Sequence, residues 1–220
     1  MNKRIWNIFL VIFLPVLISS CSSNRTSLLK ESSCLPPCWF DITPGVTKFD
    51  DAVDLLIKIP GIKSDAEKLK SKLEYNKILD LSNVRENGLQ ISVSNEYVSR
   101  ISIFTSGWMY SEIKNLYGEP EYYLSYYQQF ESIHRFVFII YPKSGLIISL
   151  EANEFNPETN NSIISFDSKV TSVTFISSEH FFEHLDSNLV GYQNNFITKK
   201  LEPWQGLGEL ETTKYEILTN

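Results

Sequence analysis

The sequence predicts an α+β protein made of two tandem modules, each a short helix followed by an antiparallel sheet packed against it. Two observations support this expectation. A helix-and-stop pattern occurs twice, in residues 42–61 and again in residues 104–121. Apolar runs bounded by turn residues follow each copy, as strands do. We therefore expect a first module over residues 34–105, a second over residues 106–190 and an irregular C-terminal tail over residues 191–220.

The repeated pattern supplies the helices. When one copy is shifted onto the other, Val53 falls on Ile113 and Leu56 on Leu116. In each copy the apolar residues recur at helical spacing, which gives a short helix with one apolar stripe. A proline follows each stripe and ends the helix.

The strands come from residue alternation and from turn signals. In residues 88–94, "GLQISVS", apolar and polar residues alternate, and Asn95-Glu96 predicts a hairpin turn into residues 97–105. In the second half we expect strands over residues 122–130, 133–141, 146–152 and about 169–177. The turn between the second and third of these is the sequence "PKSG".

The N-terminus has the composition of a secretory signal. Lys3 and Arg4 precede an apolar run over residues 5–18, which small residues follow. A membrane-spanning helix needs about 20 apolar residues, so a short uncleaved anchor is the weaker interpretation. We expect residues 1–20 to be a signal peptide.

The end of this signal resembles a bacterial lipobox. In the sequence Ile18-Ser19-Ser20-Cys21, an aliphatic and two small residues precede a cysteine. The resemblance implies that Cys21 carries acyl chains such as palmitate and becomes the N-terminus of a lipoprotein. Two or more acyl chains hold a protein stably on a lipid bilayer. Residues 21–33 would then be a polar tether, and the protein would lie on the extracytoplasmic side of the cell membrane or the outer membrane.

Two further cysteines, Cys34 and Cys38, flank a Pro-Pro pair. Outside the reducing cytosol, an even number of cysteines indicates a disulfide. A redox site is less favoured, because the spacing is C-x-x-x-C and the prolines prevent a helix from starting at Cys34. A zinc site would need a second pair of ligands nearby. We therefore predict a structural disulfide.

The charge balance argues against nucleic acid as a partner. The whole chain has a net charge of −6, and removing residues 1–20 takes away Lys3 and Arg4, which leaves −8. An acidic chain without a basic patch lacks the attraction for phosphates that nucleic-acid binding requires.

Short motifs give a resemblance to known families. The pattern Gly107, Ile113, Leu116, Gly118 and Pro120 resembles the small-lipoprotein family SmpA/OmlA of the β-barrel assembly machinery, the BamE-like proteins. Tandem copies that share a sheet also resemble the β-lactamase-inhibitor protein. The stretches from Pro36 to Thr47 and from Pro203 to Gly208 are similar to predicted bacterial lipoproteins of unknown function. The resemblance implies an α+β fold, an envelope location and binding to proteins, with no catalytic residue and no cofactor.

Two alternatives to a protein-binding role remain. The sequence His180 to His184, "HFFEH", fits the H-x-x-E-H pattern of zinc peptidases, with Glu183 as the base. Its ordinary interpretation is a terminal helix whose phenylalanines pack inward, because short motifs match often by chance. The other alternative is a small-molecule or glycan site that uses Trp39, Trp108 and Trp204.

Aromatic residues crowd one predicted strand. Since successive side chains of a strand alternate between faces, both faces of this strand carry aromatic rings. Tyrosine beside polar residues is typical of protein-binding surfaces, although cross-strand stacking would explain it equally well. We therefore expect a non-enzymatic scaffold that binds another envelope protein through the sheet surface. The candidate binding residues are Tyr122, Tyr123, Tyr126, Tyr127 and Trp108.

Overall fold

The structure is a computed structural model. It describes residues 29, 32–59, 62, 78–81, 88–129, 132–152, 154–179, 181–183, 185 and 200–215. Residues 32–220 form one compact unit, to which all the elements below belong. No helix in the described part of the chain is long and apolar enough to cross a bilayer.

The described elements are mainly strands. Two helices, α1 (Phe49–Leu56) and α2 (Tyr110–Tyr117), and a 3-10 turn (Pro142–Ser144) accompany them. The strands are β1 (Ile78–Leu81), β2 (Leu89–Ser94), β3 (Tyr97–Met109), β4 (Tyr122–Gln129), β5 (Ile133–Tyr141), β6 (Leu146–Leu150), β7 (Ser162–Ile164), β8 (Lys169–Ile176), β9 (Glu202–Pro203), β10 (Gly208–Leu210) and β11 (Thr213–Tyr215).

The prediction of two helix-then-sheet modules is wrong. Nine strands form one sheet in the order β1-β2-β3-β8-β6-β5-β4-β11, and β9 also pairs with β4. Strand β3 continues to Met109, through the boundary expected after residue 105, and pairs with β8 near the end of the predicted second module. Because backbone hydrogen bonds join strands of both halves, the chain forms a β-rich fold around this nine-stranded sheet. Strands β7 and β10 pair with each other in a separate two-stranded sheet.

Several local predictions are confirmed. Strands β2 and β3 form the expected hairpin, and Asn95 and Glu96 have φ angles of 51° and 70° at its turn. Positive φ at both central residues is typical of the tight turns that match the twist of a hairpin. Helices α1 and α2 lie where the repeated pattern placed them. The segment expected to be an irregular tail contributes the short strands β9, β10 and β11.

The first face of the sheet is apolar across five neighbouring strands. One register row crosses β3, β8, β6, β5 and β4, and each of its residues is at most 1% exposed. This row consists of Ile103, Val173, Ile148, Ile139 and Tyr123. Full burial of such residues contributes about 1.5–3 kcal/mol for each large side chain, so this row is a major part of the core.

The second face of the sheet is divided along its length. At the centre of β3 and β8 it is polar and buried, since the buried hydroxyls of Ser102 and Thr174 lie 3.1 Å apart. On β6, β5 and β4 it is apolar and packs against two helical residues, 181 and 185. We call the side chains that meet here the aromatic cluster, which consists of Leu124, Tyr126, Phe138, Ile140, Ile147, Ile176, Phe181 and Leu185.

The predicted disulfide is confirmed. Cys34 and Cys38 are bonded, with their Cα atoms 5.6 Å apart. The loop that they close packs on the turn between β5 and β6, where a Cβ atom added to Gly145 would lie 2.9 Å from Cβ of Pro37. The disulfide therefore holds the N-terminal loop against one end of the sheet.

Candidate functional site

Strand β5 is longer than its neighbour β6, and this difference creates an opening in the sheet. The ladder between them begins at Tyr141 and Leu146 and ends at Val137 and Leu150. Residues 133–136 of β5 extend past that end, and none of the described strands pairs with them on this side. After Leu150 the chain follows β8 instead, because the amide of Glu151 donates to the carbonyl of Lys169 over 2.8 Å.

An open groove of about 760 Å³ lies at this edge. We call it the edge groove. Its lining comes from β3, β5, β8, the end of β6 and the loop after β6. The lining residues are Phe104, Ile133, His134, Arg135, Phe136, Val137, Phe138, Ser149, Leu150, Glu151, Ala152, Phe155, Thr171 and Ser172.

The floor of the edge groove combines aromatic rings with paired hydroxyls. Phe104, Ser172, Ser149 and Phe138 are register neighbours across four adjacent strands of the second face. Ser172 Oγ donates to Ser149 Oγ over 2.9 Å, whereas Phe104 is 45% exposed. The exposed ring of Phe104 offers apolar surface to a ligand. The hydroxyls of Ser172 and Ser149 already bond each other.

Arg135 fastens one wall of the groove. Its guanidinium carbon lies 3.9 Å from the ring centroid of Phe155 and 5.6 Å from that of Tyr127. It also donates to the backbone carbonyl of Asn160 over 3.0 Å and to Oδ1 of the same residue over 3.3 Å. The guanidinium contacts two rings and donates two hydrogen bonds to Asn160. It therefore holds the loop over residues 154–161 against β5.

Charged residues of both signs border this end of the sheet. Lys169 Nζ lies 3.7 Å from Glu151 Oε2 at the rim of the groove, where Lys169 is largely exposed and Glu151 is partly exposed. Such an exposed pair contributes little stability. The groove thus has no single dominant sign of charge, and its apolar side chains and open strand edge are its main features.

Most of the predicted aromatic surface does not face solvent. Tyr123, on the first face, is 1% exposed, Tyr126 is 3% exposed and Trp108 is 7% exposed. Tyr126 stacks on Phe136 with ring centroids 5.0 Å apart, inside the second face. These three residues contribute to the core instead of forming a surface.

The other two tyrosines are half-buried. Tyr122 packs against the aromatic cluster and meets the edge of Phe182 at 6.2 Å between ring centroids. Tyr127 lies beneath Arg135 and so supports a wall of the edge groove. Two of the five candidate residues thus contact side chains that line the groove. Tyr127 contacts Arg135, and Tyr126 stacks on Phe136.

The three candidate tryptophans do not line the edge groove. Trp39 is fully buried in the loop before α1, where it forms an isolated bridge with Ile42. Trp108 pairs with Val170 near the end of β3. Trp204 lies against Tyr110 and Tyr123, and its indole N–H donates to Glu119 over 3.1 Å.

Several residues around Trp204 have shifted pKa values. Hydrogen bonding to Lys114 is the main cause that lowers the pKa of Glu119, and Trp204 adds to it. Burial raises the pKa of Tyr110 to about 12, and the neighbouring hydroxyl of Tyr141 offsets part of this rise. Burial also raises the pKa of Tyr123, with a further rise from Glu202. Burial and local hydrogen bonds cause these pKa shifts. None of these residues lines the edge groove.

The predicted zinc motif falls mostly outside the described residues. His180 and His184 lie outside them, and Glu183 is exposed. Among described residues, Cys34, Cys38 and Asp41 bring potential ligand atoms within 4.8 Å of one another. Their sulfurs are joined in the disulfide and are not thiolates, so this group does not fit a zinc ion. Cys21, the predicted lipidation site, also lies outside the described residues.

The edge groove was missed at the level of sequence, although a signal for it exists. A turn over residues 142–145 pairs Tyr141 with Leu146, so strand lengths alone determine where the ladder ends. The strands expected from the sequence, over residues 133–141 and 146–152, have nine and seven residues, so their lengths alone indicate an overhang of two residues. In the structure β6 has five residues and the overhang is four. The contribution of Phe104 has no such local signal, because it depends on the pairing of β3 with β8.

Neither protein-family models nor curated proteins nor solved structures provide a match to this chain.

Proposed function

We propose that this protein is an extracytoplasmic bacterial lipoprotein, anchored through Cys21, that binds an extended segment of another envelope protein at the edge groove. The observation that carries the proposal is the open groove at the end of β5, where none of the described strands extends the ladder of β6 past Val137. The predicted signal, the lipobox resemblance and the disulfide support the extracytoplasmic location.

An extended segment suits this edge for a chemical reason. About two of the four residues on such a half-strand point both N–H and C=O toward the open side, because antiparallel strands alternate. A peptide that adds itself as a strand satisfies these groups, and side-chain pockets beside it supply specificity. Phe104 and Ile133, which are 45% and 49% exposed, offer apolar contacts on the two sides of the opening.

The proposal assigns no catalytic residue and no cofactor. The zinc hydrolase alternative rests on His180 and His184, which lie outside the described residues, so no observation favours it. The groove volume is within the usual range for small-molecule pockets. Trp39, Trp108 and Trp204 do not line this groove, however, and a tryptophan-based glycan site receives no support from it.

Site-specific photo-crosslinking in the native envelope tests the proposal. A photoreactive phenylalanine analogue at position 104 should capture a partner protein, whereas the same analogue at Phe166 should not. Phe166 is a matched control, because it is 49% exposed and lies outside the groove lining. A peptide of the captured segment should bind the purified chain, and a proline within that peptide should abolish binding. Equal capture at both positions, or binding unaffected by proline, would contradict strand addition.

A further inference from the structure

The two most exposed large apolar side chains among the described residues lie in neighbouring loops. Leu35 is 86% exposed and Val46 is 70% exposed, whereas the other exposed large apolar residues range from 38% to 49%. Single exposed apolar residues are common on protein surfaces. What distinguishes these two is the rigidity of their loops and their position in the fold.

Both side chains stand on constrained loops. Leu35 lies within the ring that the Cys34–Cys38 disulfide closes, and its carbonyl accepts the amide of Cys38 over 3.1 Å. Val46 lies in a turn in which the carbonyl of Thr43 accepts its amide over 3.1 Å. These hydrogen bonds constrain the backbone of both loops, and both side chains are exposed to solvent.

Both loops pack on the same segment, at the end of β8. A Cβ atom on Gly45 would lie 3.1 Å from Cβ of Ser177. A Cβ atom on Gly145 would meet Pro37, the carbonyl oxygen of Ile176 and, at 3.3 Å, the amide of Ser178. Pro37, in the loop of Leu35, and Gly45, next to Val46, thus both lie near residues 176–178. The two exposed side chains belong to one end of the molecule.

The chain that precedes the compact unit joins it at this same end. The compact unit starts at Ser32, three residues before Leu35. The chain from Cys21 to Leu35 covers 14 residue steps and reaches at most about 50 Å when fully extended. If Cys21 is anchored in lipid, as proposed above, the bilayer surface lies within this reach of Leu35.

We infer that this end of the domain rests on the lipid bilayer, with Leu35 and Val46 inserted at the membrane interface. This inference depends on the proposed anchoring. Apolar side chains on such a surface enter the boundary between headgroups and acyl chains, about 5–10 Å deep. Two side chains are too few to bind free protein strongly, but a tether raises their effective concentration at the membrane.

The charges near these loops favour apolar insertion over electrostatic attraction. Asp41 and Lys48 are both exposed, and Lys143 lies 3.6 Å from Glu121 beside the turn that carries Gly145. Anionic lipids attract clusters of basic residues, and this end has charges of both signs. Docking should therefore occur on neutral lipid and should change little with salt.

The contact would also orient the edge groove. Strand β5 runs from Ile133, at the groove, to Tyr141, next to the turn that packs on Pro37. Eight residue steps along a strand span roughly 27 Å. With Leu35 and Val46 in the membrane, the groove end of β5 would point away from the lipid, toward envelope partners.

Depth-dependent quenching of tryptophan fluorescence tests the inference. The full chain is reconstituted in phosphatidylcholine vesicles that contain brominated phosphatidylcholine, and each variant is compared with the unsubstituted chain. Leu35→Trp and Val46→Trp should each be quenched several-fold more than Ile133→Trp, and salt should not change the difference. Ile133 is the matched control, since it is exposed and lies at the opposite end of β5.

Mass spectrometry of the same sample separates the two proposals. If Cys21 carries acyl chains and positions 35 and 46 are quenched no more than position 133, the docking inference is wrong and the anchoring stands. If the chain does not associate with the vesicles and Cys21 is unmodified, the proposed anchoring fails, and the docking fails with it.

Discussion

Gly145 and Pro37 are in contact so close that no side chain fits between them. A Cβ atom on Gly145 would lie 2.9 Å from Cβ of Pro37 and would collide with the carbonyl oxygen of Ile176. The φ angle of Gly145 is 58°, in the left-handed region. The turn between β5 and β6 therefore fixes where the disulfide loop meets the sheet.

We expect Gly145→Ala to lower the free energy of unfolding by about 3 kcal/mol, because overpacking and left-handed strain add together. Gly145→Asn separates the two causes, since asparagine tolerates left-handed backbone but still brings a Cβ atom. Urea denaturation of both variants measures the loss. If Gly145→Asn is as stable as the unsubstituted protein, the collision is absent and only the backbone conformation matters.

Removal of the disulfide should have a moderate effect. The bond between Cys34 and Cys38 closes a short loop, with a sequence separation of 4, so the chain-entropy contribution is about 2 kcal/mol. We expect the double substitution Cys34→Ser and Cys38→Ser to lower the free energy of unfolding by this amount in urea titrations. Dithiothreitol should destabilise the unsubstituted protein equally and leave the variant unaffected. A variant that still responds to dithiothreitol would contradict this assignment.

Two adjacent phenylalanines should differ strongly in their effect on stability. Phe181 is 3% exposed and belongs to the aromatic cluster, whereas Phe182 is 44% exposed. Phe181→Ala should lower the free energy of unfolding by about 3–4 kcal/mol, because it leaves a cavity against the second face of the sheet. Phe182→Ala, the matched control, should cost about 1 kcal/mol or less. Similar losses in thermal or urea unfolding would mean that the packing of this segment is different.

Arg135 should control the stability of the loop that borders the edge groove. Its removal eliminates two ring contacts and two hydrogen bonds, worth about 2 kcal/mol together. In Arg135→Ala we therefore expect amide exchange to accelerate roughly 30-fold in the loop, at the amides of Asn156 and Ile163. Hydrogen-exchange mass spectrometry measures this rate. Arg135→Lys keeps the charge without the planar fork and should protect the loop only in part. Unchanged exchange in both variants would show that Arg135 does not hold the loop.

The buried tyrosine of α2 should make the protein sensitive to alkaline pH. Burial raises the pKa of Tyr110 to about 12 in the folded state, against about 10 in an unfolded chain. Below pH 10 both states hold the proton and the full stability is present. Between pH 10 and 12 the unfolded state loses its proton first, so stability falls, by at most about 2–3 kcal/mol for this group. Tyr110→Phe should flatten this part of the stability curve measured by urea unfolding at successive pH values. An equally steep decline in the variant would exclude Tyr110 as its source.

Part of the candidate site was accessible from the sequence. The hairpin of β2 and β3, the strands on either side of the turn over residues 142–145, and both helices follow from patterns within a few residues. The burial of Tyr123 and Tyr126 could not be predicted from the sequence, because the residue pattern of an aromatic strand is the same whether its faces are buried or exposed. The cover comes from distant segments: Phe181 packs on the second face, and Trp204 lies against Tyr123.

The sequence by itself determined the identity of local elements, the pairing of Cys34 with Cys38 and the expectation of export. These depend on residue types at short spacing, such as alternation, turn residues and the number of cysteines. Only the tertiary structure decided that both halves of the chain share one nine-stranded sheet and that a groove opens at its edge. Contacts such as that between Ser102 and Thr174 join residues 72 positions apart. Whether β3 pairs with β8 or closes a module of its own depends on which arrangement buries more apolar area and satisfies more backbone hydrogen bonds. That choice is made by the whole chain, and no local pattern of residues contains it.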